Sequence, residues 1–376
     1  MVHKSAVSDR HKHGTGPLYY EYAVYDGSLP TLKQRKYSWT KVSSIIFVDS
    51  PVPTGFSFSS GSGNYVGGDG KYPKEVYQFL VKWLKAHPQF LSNPLYIGGD
   101  SYNGFIIPVV ANEIANGIEA GNKPVLNFKG YHLGNPKTDR PIDDGSYVPY
   151  AHRMSLISDE LYENIARITT GQILEPKCAF VSPKTSAVGR GRLLDENSRG
   201  PHLPGTLPSF GCREYWYLLS YHWANNADVR KALHVAEGKI YEWKRCNMSI
   251  PYVQSLKSSV NYHLSLNSRG YRALIYSGDH DMIVSIVGTE QWIKSLNFSI
   301  VDDWRPWMVD GQVAGYTTLY SNDYTFATVK ARKYPSSLRG LRFYDTGFMG
   351  AGHTAPEYKP KECFAMFKRW LSHKPL

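Results

Sequence analysis

Long apolar runs are missing from this 376-residue chain, and with them any stretch that reads as a membrane span. No membrane partner is expected. Long basic runs are missing too: the formal charge of +11 comes from 43 basic against 32 acidic residues spread along the chain. That dispersal reads as a solvated basic surface and argues against a nucleic-acid partner. Cysteine is scarce. Cys178, Cys212, Cys246 and Cys363 form no C-x-x-C pair and have no histidine-rich neighbourhood with ligand spacing, so neither a metal site nor a cofactor is expected. The opening "MVHKSAVSDRHKHG" lacks the apolar centre and small-residue cleavage site of a signal peptide. It leaves either a cytosolic protein or a chain whose start is absent. Against a cytosolic home stand two N-x-S sequons, at Asn247 and Asn297, which are glycosylation acceptors in secreted proteins.

What is present is an alternation of strand and helix signals. "SSIIFVDSP" (Ser43 to Pro51) reads as a buried strand ended by a turn. Val76, Phe79, Leu80, Trp83 and Leu84 then recur at helical spacing between Lys74 and His87, and the helix stops before Pro88. "VLNFKGYHLGNP" (Val125 to Pro136) and Ala273 to Tyr276 read as further strands. The alternation predicts an α/β fold, a mostly parallel central sheet with helices on both faces. Residues 1–142 supply the first part of that core and residues 271–376 its last part.

Residues 143–270 differ in character. Ser158 is placed to cap a helix whose Leu161, Ile165 and Ile168 share a face, and "NNADVRKALHV" (Asn225 to Val235) reads as another. Between them, residues 177–209 are rich in Pro, Gly, Ser and Arg and read as an exposed linker. The region is therefore expected to be an inserted helical cap. Cys178 and Cys212 flank the linker and can bridge its ends.

The chemistry is carried by "LYIGGDSYNGFIIPVV" (Leu95 to Val110), where Ser101 sits between a strand and a helix. A serine on such a bend is how α/β-hydrolases expose a nucleophile, with small neighbours permitting the strained turn. The generic G-x-S-x-G pattern is not met, because the second glycine, Gly104, comes one place late. Two later loops at strand ends hold the remaining groups: "SGDHD" with Asp281, and "GAGHTAPEY" with His353. The order Ser, Asp, His is the order those hydrolases use.

These segments, with "SWTKVSSIIFVDSPVPTGFSFS", "LGNPKTD" and "ADVRKALHV", make the chain resemble the serine carboxypeptidase-like family from about Gly16 to Leu376. The resemblance explains the late glycine, since the family motif is G-x-S-Y-x-G. It implies an α/β-hydrolase fold in which Ser101 is the nucleophile, His353 the general base and Asp281, rather than Asp279, the orienting acid. The N–H of Tyr102 becomes an oxyanion donor. Asp100 takes the position where peptidases of the family carry a glutamate that binds the substrate's terminal carboxylate, and the acyltransferase-like branch often has Asp there. The resemblance thus implies removal of C-terminal residues from peptides or, alternatively, acyl transfer from sugar esters to alcohols, in either case on a peptide or small ester substrate. It also implies the secretory pathway, outside the cell or in the vacuole.

Some family features are not found. Early strands and a Gly-Gly-Pro-Gly-Cys-Ser segment, which supplies the second oxyanion donor and a partner for Cys246, do not occur before Gly16, and "YVGGDG" (Tyr65 to Gly70) cannot replace them. The N-terminal strands are therefore expected to be missing, and an inactive, shortened family member is a third reading. The stretch between Ile168 and Gly171 looks shortened. Ala331 to Met349 interrupts a direct join between "TFATVK" and "GAGHT" and reads as an added loop.

Overall fold

The computed structural model describes residues 2–4, 14–60, 65–164, 213–240, 242–245, 247, 250–330 and 351–376. The expected linker at 177–209, Cys178, Cys212, Cys246, Ile165, Ile168, the stretch from Ile168 to Gly171 and the loop from Ala331 to Met349 lie outside them.

Eight strands form one sheet: β1 (Val2–Lys4), β2 (Ile46–Val48), β3 (Leu95–Asp100), β4 (Phe128–Gly134), β5 (Arg272–Gly278), β6 (Ile300–Val309), β7 (Gln312–Tyr320) and β8 (Tyr324–Val329). Their order is β6-β7-β8-β5-β4-β3-β1-β2. All neighbours run parallel except β6–β7 and β7–β8, which are antiparallel. The Asp310–Gly311 pair, with φ of 49° and 71°, makes the tight turn that joins β6 to β7. Two expectations need adjustment. The polar start of the chain carries no strand signal, yet Val2–Lys4 lies parallel between β2 and β3, pairing Val2 with Ile46 on one side and Ile97 on the other. Ile46–Val48 is not a fully buried strand: it lies at the sheet edge, and its three residues are half-buried.

Strand alternation divides the core between two faces. In β5, Ala273 and Ile275 join Ile97, Tyr131 and Phe326 on one face, whereas Leu274 and Tyr276 join Tyr96, Ala327 and Val329 on the other. The first face is covered by α1 (Tyr72–Ala86) and α2 (Asn103–Glu119), with Leu266 of α5 (Val260–Ser268) and Trp292 of α6 (Ile286–Ser295). Val76, Leu80 and Leu84 form the buried stripe of α1, each contributing roughly 1.5–3 kcal/mol of transfer free energy. The second face is covered by α7 (Pro360–Leu371), whose Phe367 stacks on Trp39 with ring centroids 4.0 Å apart.

Between β4 and β5 the chain forms α3 (Arg140–Gly145) and, further on, α4 (Arg213–Asn225). Tyr215, Leu219 and Trp223 of α4 pack with Tyr20 and Trp243 in a separate aromatic cluster. Ser158 Oγ accepts from the Leu161 N–H at 3.3 Å, as expected of a cap, although Leu161 itself is exposed.

Candidate active site

The bend after β3 is built from close approaches. Ser101 has φ of 57°, a left-handed conformation that costs a non-glycine residue roughly 1–2 kcal/mol. Neighbouring backbone holds it there. Its N–H donates to Gly134 O at 2.9 Å, and its carbonyl accepts from the Gly104 and Lys137 N–H groups, each at 2.9 Å. The glycine spacing now has a physical reason. A Cβ on Gly104 would lie 2.4 Å from Lys137 O, while one on Gly99 would lie 2.6 Å from the Asn103 Cβ. Asn103 therefore fills the place of the generic second glycine, donating its Nδ2–H to Asp100 O at 3.0 Å. The helix that follows contains Pro108, which cannot donate to Gly104 O. Ser259 Oγ donates to that carbonyl instead, at 2.7 Å.

Asp281 lies in the loop after β5 and is buried. His353 lies on a loop pinned to the same place: the His280 N–H donates to Ala351 O at 3.0 Å, and a Cβ on Gly278 would lie 2.3 Å from that oxygen. The three expected residues meet. His353 Nε2 is 2.8 Å from Ser101 Oγ, and His353 Nδ1 is 2.7 Å from Asp281 Oδ2. Asp279 points elsewhere, its Oδ1 lying 2.7 Å from Nδ1 of His280.

Asp281 is held by two further donors: the Ile283 N–H on Oδ1 and the Asn135 Nδ2–H on Oδ2, both at 2.8 Å. Asn135 was not among the expected site residues. It follows β4, is fully buried, has φ of 43° and accepts from the Gly278 N–H at 3.3 Å through Oδ1. A buried asparagine in a left-handed turn beside a strand end is the signal that marks it.

Tyr102 stands next to Ser101, and among the described residues no backbone carbonyl accepts from its N–H. Its phenol donates to Asp69 Oδ1 at 2.8 Å, and burial together with the Asp69 carboxylate holds that phenol well above the ordinary tyrosine range. Asp69 carries no local sequence signal that marks it. Asp100 lines a small crevice with Thr15, Asn135, His353 and Thr354. Chemically, the arrangement offers a hydroxyl facing an imidazole, an imidazole facing a buried carboxylate, and an N–H beside the hydroxyl.

The sequon residues Asn247 and Asn297 are both exposed. Among the described residues no group of histidine, cysteine or acidic side chains is arranged to hold a metal ion, and no helix is long and apolar enough to cross a membrane.

The sequence model of the serine carboxypeptidase family matches residues 13–373. Serine carboxypeptidase-like 7 of Arabidopsis thaliana is 45% identical over 370 residues, covering 96% of this chain and 78% of that protein. Serine carboxypeptidase-like 17 of the same plant is 44% identical over 369 residues, with the same coverage. The crystal structure of Kex1Δp, a prohormone-processing carboxypeptidase from Saccharomyces cerevisiae, superposes with a TM-score of 0.69 at 17% identity, covering 99% of this chain and 82% of that one. That likeness identifies the α/β-hydrolase fold. The chain belongs to the serine carboxypeptidase family.

Proposed function

We propose that the chain is a serine-type carboxypeptidase working through an acyl-enzyme at Ser101. The observation that carries this reading is the unbroken contact chain from Ser101 Oγ to His353 Nε2 and from His353 Nδ1 to Asp281 Oδ2. In the first half-reaction Ser101 Oγ attacks the scissile carbonyl carbon while its proton passes to His353 Nε2. Asp281, buried and in contact with Nδ1, stabilises the imidazolium and fixes the orientation of the ring. The Tyr102 N–H donates to the oxyanion; one such donor is worth about 10²–10³ in rate. His353 then protonates the departing amine, the C–N bond breaks, and the acyl group remains on Ser101. In the second half-reaction His353 Nε2 takes a proton from water as the water oxygen bonds to the acyl carbon; the bond from that carbon to Ser101 Oγ then breaks, His353 returns the proton to Oγ, and the shortened peptide leaves with a free carboxylate.

Acyl transfer is the second reading, and Asp100 favours it. Asp100 lines the crevice that His353 also lines, and its side chain is one methylene shorter than the glutamate that peptidases of the family carry there. A shorter acid reaches less far towards a substrate's terminal carboxylate, while the acyl-enzyme chemistry is unchanged. An alcohol in place of water then completes the cycle.

The test is to supply N-blocked dipeptides in one assay and an acyl-sugar ester with an alcohol acceptor in another. Release of the C-terminal amino acid, lost in Ser101→Ala, is the expected result. Ester formation on the acceptor without amino-acid release favours the second reading, and activity that survives Ser101→Ala contradicts both.

A further inference from the structure

Asp69 gathers more donors than its place in a loop requires. Its Oδ1 accepts from the Tyr102 phenol at 2.8 Å and from the Tyr252 phenol at 2.7 Å, while its Oδ2 accepts from the Leu256 N–H at 2.7 Å. Its own N–H donates to Val253 O at 3.1 Å. The side chain is almost fully buried. Around it, Gly67–Gly68 pairs in parallel with Tyr252–Val253, an isolated two-stranded element outside the main sheet. A Cβ on Gly68 would lie 3.1 Å from Val253 O, so the two segments are in close contact.

We infer that Asp69 is a positioning residue for the oxyanion donor: it fixes Tyr102 by its phenol and ties the residue beside the nucleophile to the Tyr252–Leu256 segment. This rests on the reading of Ser101 as nucleophile and Tyr102 as oxyanion donor. Three donors converge on two oxygens, which only an acceptor-only carboxylate satisfies in full. An amide in its place keeps one oxygen and turns an NH2 group towards either the phenols or the Leu256 N–H. Ser101 is already in a left-handed conformation. The peptide that follows it is therefore held from two sides, by backbone hydrogen bonds on Ser101 and by the phenol anchor on Tyr102. Oxyanion stabilisation depends on such fixed direction of the donor before the charge develops. Arg140 adds to the frame: its guanidinium donates to Leu256 O at 3.2 Å and lies over the Phe105 ring at 5.2 Å.

The experiment measures the second-order rate of Ser101 acylation by a fluorophosphonate probe, with melting temperature, in Asp69→Asn, Tyr102→Phe, the double variant and Tyr252→Phe. Both single changes at the Asp69–Tyr102 contact are expected to slow acylation on the order of tenfold to a hundredfold, and the double variant to be little slower than either. Tyr252→Phe, which removes the other phenol, is expected to lower the melting temperature with a smaller change in rate. Hydrogen–deuterium exchange over residues 100–106 supplies a readout that needs no chemistry, and it should quicken in Asp69→Asn and Tyr102→Phe while residues 128–134 stay protected. Additive losses in the double variant, or rates that follow melting temperature alone across all four proteins, overturn the inference. A wild-type protein that never acylates removes the nucleophile assignment instead, and unchanged exchange over 100–106 then removes the anchor as well.

Discussion

Asn135 donates its Nδ2–H to Asp281 Oδ2 at 2.8 Å. The same oxygen is 2.7 Å from His353 Nδ1, so a neutral amide and the imidazole share one carboxylate oxygen. A hydrogen bond to a charged group contributes about 1.5–3 kcal/mol, and Asn135 is fully buried.

Asn135→Ala should therefore lower kcat on the order of tenfold or more with little change in KM. It should also lower the melting temperature, because alanine at φ of 43° is strained. Steady-state kinetics on whichever substrate is turned over checks this. A kcat equal to wild type would mean that the Ile283 N–H alone holds Asp281 in place.

Two buried groups give stability opposite dependences on pH. Burial pushes the Asp143 carboxyl up to about 7, against the pull of the Asp139 and Thr138 N–H groups it accepts from at 3.0 and 2.7 Å. Its folded value is raised above the ordinary 3.8, so its contribution is full below about pH 4 and lost as pH rises through 7. Burial pulls His263 down to about 3 from 6.5, where its Nδ1 lies 2.7 Å from the Tyr131 hydroxyl. Its contribution is full above 6.5 and lost as pH falls towards 3. Calorimetry across this range should show Asp143→Asn gaining on wild type as pH rises, by a few degrees, and His263→Gln gaining on it as pH falls. Parallel curves for all three proteins would contradict both assignments.

The two sequons give a prediction about processing. Asn247 and Asn297 are exposed, and Asn297 follows the end of α6 with φ of 53°. Expressed through a secretory host, the protein should carry a glycan at each, seen as a mass decrease on enzymatic deglycosylation. Asn297→Gln should remove one such step. A mass equal to that of the bare chain would contradict the assignment.

The site was more legible than its supports. Ser101, Asp281 and His353 stand in segments with a local pattern, and the chain order of their types singles them out as a group, which the fold brings within hydrogen-bond distance. Asp69 and Asn135 are ordinary loop residues until the sheet brings Tyr102 and Asp281 to them, contacts that span 33 and 146 positions. Strand identity was legible where apolar residues run together, as in Ala273 to Tyr276. Val2–Lys4 has no such run, and its place depends on pairing with residues more than 40 positions away. For Ile46–Val48 the apolar run marked a strand but not its position at the edge, since periodicity does not count neighbours. The β6–β7 hairpin did carry a local mark, the Asp310–Gly311 turn between β-prone segments.

The central claim is that Ser101 is a nucleophile activated by His353, and covalent labelling tests it most directly. A fluorophosphonate probe should form a single adduct, mapped by mass spectrometry to the peptide containing Ser101. The adduct should be lost in Ser101→Ala and strongly reduced in His353→Ala, with both variants keeping the wild-type melting temperature to within a few degrees. Labelling of another residue, or undiminished labelling of Ser101 in His353→Ala, would contradict the account.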